Sequence, residues 1–275
     1  MSVAICVCGY NNPNYLYIAL DNLFRVRKIQ NYPVYVFIDN SMDWKTNYLY
    51  QKVFEKYPLE RSHIYPTHVG DVFNVFESIN HCFLDGHDEV IHLEHDWHFR
   101  TNLLEYSESI ETTVYDSCFA INLGRILRPA YNSWFDNMGM RIKKDNFYEL
   151  WEWIKGKYYI GQIDPRNNLV MNDNEAFDGK IFMFFQMNDK LMFYCDKSDH
   201  IGSFGVTGVH ANNNELSQEY DKMFFRGDPH QWLFNVAAIL HKGEYPQELE
   251  THLFTRYTPL LFDLFDSEHY FDEGI

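Results

Sequence analysis

Three short apolar runs most restrict the fold. "VAICVC", "YPVYVFID" and "EVIHLE" each end in a polar, turn-forming segment, and the stretches between them carry apolar residues at a helical spacing. Ser2–Gly9 runs into "GYNNPN", and Pro13 suits the first turn of a helix spanning Tyr15–Ile29. Tyr32–Ser41 is the second strand, Lys45–Tyr57 a helix and "SHIYPTHVG" a weaker strand and turn. Asp71–Phe83 is helical again, before the strand that ends in "EHD". Strand and helix alternating at this spacing predict an α/β fold with a mostly parallel sheet and ligands at the strand carboxyl ends, where "IDNS", "HVG" and "EHD" fall.

Beyond this half, Asn102–Tyr115 reads as helix and "SCFAINLGRI" as strand. "MRIKKDNFYELWEWIKGK" runs into a helix whose Trp151/Trp153 stripe is a core face, and Asn174–Asn188 forms another helix. "KLMFYCDKSDHIGSFGVTGVH" is a strand entering a glycine-rich loop. With no repeat or linker, residues 1–210 read as one catalytic domain and 211–275 as a helical C-terminal extension packed on it.

The 275-residue chain carries a formal charge of −16, which disfavours general nucleic-acid binding because phosphate contacts need clustered Lys and Arg. A local basic patch around Arg125, Arg128, Arg141, Lys143 and Lys144 leaves modified DNA as a minor acceptor option. Cys6 and Cys8 lie in a buried strand, so a disulfide framework is not expected. With no signal-length apolar core and no run of ~20 apolar residues, the expectation is a soluble cytoplasmic protein without a membrane span.

Four pieces in order resemble nucleotide-sugar-dependent glycosyltransferases of the GT-A fold, over about residues 2–210. "VAICVCGYNNPNYLYIALDNL" is similar to the opening strand, loop and helix of family-2-type enzymes. "YPVYVFIDNS" resembles their second strand with its terminal acid, and "EHD" stands where they carry a DxD-type metal motif. "FDGKIFMFFQMNDKLMFYCDKSDHIGSFGVTGVH" resembles their acid-bearing helix, strand and acceptor-side loop. "EHDWHFRTNLLEYSESI" also resembles the "EDD" segment of N-acetylglucosaminyltransferase I-like enzymes.

The resemblance implies transfer of a sugar from a nucleotide-diphosphate sugar, a UDP-sugar first among them, to a hydroxyl of a glycan or small-molecule acceptor. The step is inverting, by in-line displacement, and depends on Mn²⁺ or Mg²⁺ held by carboxylates. Residues i and i+2 of a strand share a face, so Glu94 and Asp96 converge on one ion if the strand persists to Asp96. Asp96 is the implied direct ligand, with Glu94 on the ribose or a metal-bound water. His95, beside the nucleotide, departs from the usual acid or small residue. Gly9, Tyr10 and Asn11 would wrap the base, Asp39 would accept from base or ribose, and Asn74 would add a nucleotide contact. Asp178 is the candidate general base, Glu175 its competitor, and His200 and His210 are possible further metal ligands.

Two other readings stay open. A metallohydrolase could use His92, Glu94, His95, Asp96 and His98, although strand geometry turns His95 away from the others and no H-E-x-x-H spacing occurs. His92 and His98 read as structural, because lone histidines near strands commonly satisfy backbone carbonyls. A non-catalytic sugar-binding protein on the same scaffold would lack either the metal acid or the base.

Overall fold

The computed structural model describes residues 2–110, 112–124, 131–132, 139–158, 177–194 and 201–203. All of these but Ser203 belong to one compact unit, Met1–Gly202. The expected extension 211–275 lies outside the described residues.

The first strand, β1 (Val3–Tyr10), is buried almost throughout and is flanked in parallel by β2 (Val34–Asp39) and β4 (Glu89–Glu94). Enclosure on both sheet faces accounts for the unbroken apolar character of these runs. β3 (Arg61–Ile64) adds a parallel edge to β2. On the other side the order continues β4, β8 (Met140–Lys143), β6 (Ala120–Asn122), β9 (Met192–Tyr194) and β7 (Tyr131–Asn132). β8 runs antiparallel to both β4 and β6, and β7 antiparallel to β9. The result is a mixed, mostly parallel eight-stranded sheet. A separate two-stranded ribbon joins β5 (Trp97–Phe99) to β10 (Ile201–Ser203).

Alternation along β1 places Ala4, Cys6 and Cys8 on one face. Helix α3 (Asp71–Leu84) covers that face, with Phe76, Ile79 and Phe83 in one core with Phe37 and Val90. The same core takes in α6 (Lys144–Tyr158) and α7 (Phe177–Met187) through Phe147, Leu150, Ile181 and Phe184. Trp151 is buried and stacks on Phe76 at 4.6 Å, and Trp153 meets Phe184 edge-on at 5.4 Å, so the tryptophan stripe is core.

Several boundaries depart from expectation. Helix α1 (Pro13–Leu23) starts where the Asn12 side chain accepts the Tyr15 N–H, and it ends well short of Ile29. There Lys28 takes a left-handed φ of 70° before a 3₁₀ turn at Ile29–Asn31. α2 (Trp44–Phe54) is capped by the Asp43 carboxylate. The helix expected over 102–115 is two, α4 (Leu103–Ser109) and α5 (Thr112–Asp116), because Ile110 turns extended. Met140–Lys143, the start of the expected helical segment, is strand β8.

That strand and the residue after it carry three of the five basic residues singled out above. Arg141 is largely enclosed: its Nε and Nη2 hold Glu89 Oε2 at 2.7 and 2.5 Å, and its Nη1 donates to the Ser107 carbonyl at 2.7 Å. Lys143 pairs with Asp116 at 2.5 Å, and Lys144 donates to the Phe83 carbonyl at 3.1 Å. Arg125 and Arg128 lie outside the described residues. Arg141 is thus taken up within the fold, while Lys143 pairs with Asp116 at the surface.

Glu89 is 1% exposed, and its Oε1 has no hydrogen-bond partner among the described residues, so its charge leans on Arg141. Arg141→Met should therefore strand a buried carboxylate and destabilise the fold by about 3–5 kcal/mol in urea unfolding. The double variant with Glu89→Gln should recover much of that loss.

Candidate functional site

Pairing register brings the ends of β1 and β2 level and sets the end of β4 two residues back. Tyr10 lies opposite Asp39 across β1 and β2, and Cys8 lies opposite Glu94 across β1 and β4. Candidate ligand groups from three adjacent parallel strands thus emerge at one edge of the sheet, where open α/β sheets place their clefts.

Asp39 is 1% exposed. Its Oδ1 accepts the Val69 N–H at 2.7 Å and its Oδ2 the Gly70 N–H at 2.9 Å, while His68 Nδ1 lies 2.8 Å from Oδ2. Gly70 has a φ of 84° and precedes α3, and Asp39 holds the Val69–Gly70 backbone that leads into the helix. Burial pushes the Asp39 carboxyl up, against the Val69 amide, His68 and the Gly70 amide, which pull it down. The residue expected to meet base or ribose is thus already engaged by the loop before α3.

Tyr10 and His68 rings pack at 5.1 Å, tilted by 39°, above this carboxylate. Burial, followed by the Asp39 charge, raises the Tyr10 pKa. His68 is the residue that sequence reasoning missed; its signal was its place at the end of "SHIYPTH", one strand over from Asp39. Asn11 holds a left-handed φ of 54°, and Asn12 N–H donates to the Tyr50 hydroxyl at 2.7 Å, which anchors the Gly9–Asn11 loop to α2.

Asn74 is buried rather than at the rim. Its Nδ2 donates to the Gly9 carbonyl at 3.3 Å and its Oδ1 accepts from Ser78 at 3.3 Å. It supports the loop from beneath, so a direct nucleotide contact is not what its geometry offers.

The acidic motif differs from the expected continuous strand. β4 stops at Glu94, and His95–Asp96 form a turn into β5. The alternation argument for Glu94 and Asp96 therefore does not hold, and their proximity depends on the turn. His95 N–H donates to the Cys8 carbonyl at 2.9 Å. Its ring fills the space beside Gly9, where an added Cβ would stand 2.8 Å from His95 Cγ. Burial pushes the His95 pKa down to about 4, opposed by hydrogen bonds to the backbone at Cys8 and Tyr10, so the ring is neutral at pH 7. Glu94 and Asp96 are both half-buried and offer hard carboxylate oxygens, the donor type Mg²⁺ and Mn²⁺ take.

His92 is fully buried on β4, within hydrogen-bonding reach of Cys8 and edge-on to Trp97 at 6.3 Å. Among the described residues, no three His, Cys, Asp or Glu side chains gather in a metal-holding arrangement. Asp178 is the second residue of α7. Glu175, His200 and His210 lie outside the described residues. No helix among the described residues is long and apolar enough to cross a membrane.

No protein-family model matches the sequence, and no curated protein matches it. Solved structures share its fold. The mannosyltransferase PcManGT from Pyrobaculum calidifontis, in complex with GDP-Man and Mn²⁺, aligns with a TM-score of 0.51 at 15% identity, over 99% of this chain and 76% of that one. S. aureus TarS 1–349 in complex with UDP-GlcNAc aligns with a TM-score of 0.51 at 13% identity, over 96% of this chain and 73% of that one. The chain has the GT-A fold: a mostly parallel sheet flanked by helices, with its candidate groups at the strand carboxyl ends.

The His95 environment sets a pH dependence. Its folded pKa of about 4 lies below the ordinary 6.5, so the unfolded chain binds the proton more tightly between those values. Wild-type stability should fall as pH drops from about 6.5 to about 4, and His95→Asn should flatten that part of the curve in denaturant titrations.

Proposed function

We propose that the protein is a glycosyltransferase that moves a sugar from a nucleotide-diphosphate sugar to an acceptor hydroxyl. One observation carries this reading: within a GT-A fold, the Tyr10–His68–Asp39 group and the Glu94–His95–Asp96 turn stand at the ends of three adjacent parallel strands. The first group suits a planar base, with Tyr10 and His68 offering ring faces and Asp39 an acceptor. The second group suits a cation bridging to phosphate.

Charge supports a metal requirement. Asp39, Glu94 and Asp96 make the strand ends electronegative on a chain of net charge −16. A diphosphate would be repelled there unless a divalent ion inverted the local field. Asp96, with Glu94 beside it, would hold Mn²⁺ or Mg²⁺, with His200 or His210 as candidate further ligands. Bound there, the ion would stabilise charge developing on the leaving diphosphate. Both solved relatives of the fold hold nucleotide sugars, GDP-Man with Mn²⁺ in one and UDP-GlcNAc in the other, which favours the same donor class here. A UDP-sugar is the leading donor; the acceptor is a glycan or small molecule, and a soluble cytoplasmic setting fits such a donor.

In the proposed step a carboxylate, Asp178 or its neighbour Glu175, takes the acceptor hydroxyl proton. The acceptor oxygen then attacks the anomeric carbon, the bond from that carbon to the phosphate oxygen breaks, and the nucleoside diphosphate leaves with inversion. The likeness to N-acetylglucosaminyltransferase I-like enzymes rests on "EHDWHFRTNLLEYSESI" alone. A hydrolytic metal centre at 92–98 has less support, because His92 is enclosed in the core and the His95 ring is packed beside Gly9.

Thermal unfolding with Mn²⁺ and a panel of UDP-, GDP- and CMP-linked sugars tests the donor class. The matching donor at ~100 times its Kd should stabilise by about 2.7 kcal/mol. No stabilisation by any combination would sink the transferase reading. Asp178→Asn should leave donor binding intact and cut transfer by about 10²-fold or more. If transfer survives, Glu175→Gln should carry the loss.

A further inference from the structure

We propose that His95 is a positioning residue: its ring, seated beside Gly9, locks the acidic turn to the nucleotide loop and so fixes where Asp96 stands relative to Tyr10. The inference deepens the glycosyltransferase reading and rests on it for the identity of the ligands, but the lock itself is a statement about this chain.

The turn is held by the β1–β4 ladder only at the last rung, since β4 ends at Glu94. Its first residue is tied back to β1 by the His95 N–H to Cys8 carbonyl bond of 2.9 Å. The side chain adds a second tie by packing its ring against Gly9. The ring also approaches Tyr15 at 6.0 Å between centroids, and Tyr15 is fixed by its N–H bond of 3.2 Å to Asn12 Oδ1. Loop 9–12 is thus held by α2 through Tyr50, by α3 through Asn74 and by the acidic turn through His95.

Glycine at position 9 is the other half of the lock. Its φ is outside the left-handed region, so backbone freedom is not what requires it. Room is what requires it: a Cβ would lie 2.8 Å from His95 Cγ, 3.0 Å from His95 Cβ and 3.0 Å from Ile38 Cδ1. An acid or small residue at position 95 would leave this space empty and the turn less restrained. Groups that orient a metal ligand without touching the metal typically change metal affinity by about 10- to 100-fold.

Mn²⁺ affinity of the nucleotide-free protein, read by electron paramagnetic resonance, should fall by about 10- to 100-fold in His95→Ala. His95→Asn or His95→Gln, each keeping an N–H donor, should restore part of it. Gly9→Ala should match His95→Ala, and the double variant should be no worse than either single one, because the added methyl then has no ring to displace. Additive losses, or an unchanged affinity in His95→Ala, would overturn the inference. Hydrogen exchange of the residue-95 amide separates this failure from failure of the function. Even if the wild type binds neither Mn²⁺ nor nucleotide, exchange should quicken about tenfold or more in His95→Ala and Gly9→Ala as the turn opens locally. Unchanged exchange rates would refute the lock by themselves.

Discussion

Backbone hydrogen bonding between β2, β1 and β4 is the constraint on which the candidate site depends. The register pairs Tyr10 with Asp39 and Cys8 with Glu94, so the loops after β1 and β2 begin level and the turn after β4 begins two residues lower, at the same end of the sheet. Side chains then finish what the ladders start. Asp39 gathers the 68–70 loop, Asn74 props the Gly9 carbonyl, and His95 ties the acidic turn back to β1. Each of these groups is polar and enclosed or half-enclosed, and each makes hydrogen bonds suited to that burial. The site is pre-organised by polar contacts laid over an apolar sheet.

The division of labour between the sheet faces follows from the same arrangement. α3 covers the face that carries Cys6, Cys8 and Phe37, and α6 and α7 extend that core through stacked aromatic rings. Rings this large and this close leave little freedom for α3 to shift, which matters because the 68–70 loop leads directly into it. Core packing therefore reaches the strand ends through the short 68–70 connection, on which Asp39 is the clasp, and through Asn74 beneath the Gly9 carbonyl.

The strands β1, β2 and β4 are legible in the sequence because burial on both faces leaves apolar runs with sharp polar ends. The acids at those ends were legible for the same reason. The end of β4 at Glu94 was not, since "EHDWHF" continues with strand-forming residues and only the pairing of His95 with Cys8 and Gly9 reveals the turn. His68 went unread because a histidine after a weak edge strand carries no pattern; its meaning lies in a contact with a residue 29 positions earlier in the chain. Arg141 looked like part of an exposed basic cluster, and its buried partner Glu89 lies 52 residues away. Long-range polar pairs of this kind have no periodicity to detect.

The double engagement of Asp39 bears on how a mutational scan of this protein should be read. A carboxylate that clasps its own backbone cannot be removed without also loosening the start of α3. Loss of activity at position 39 would thus look the same whether a ligand or the scaffold had lost its partner. Tyr10 and His68, which sit nearer the surface, are better witnesses to what occupies the cleft. Replacing Tyr10 tests recognition while leaving the clasp closed, whereas replacing His68 also removes a group 2.8 Å from Asp39, and comparing the two positions would separate chemistry from architecture.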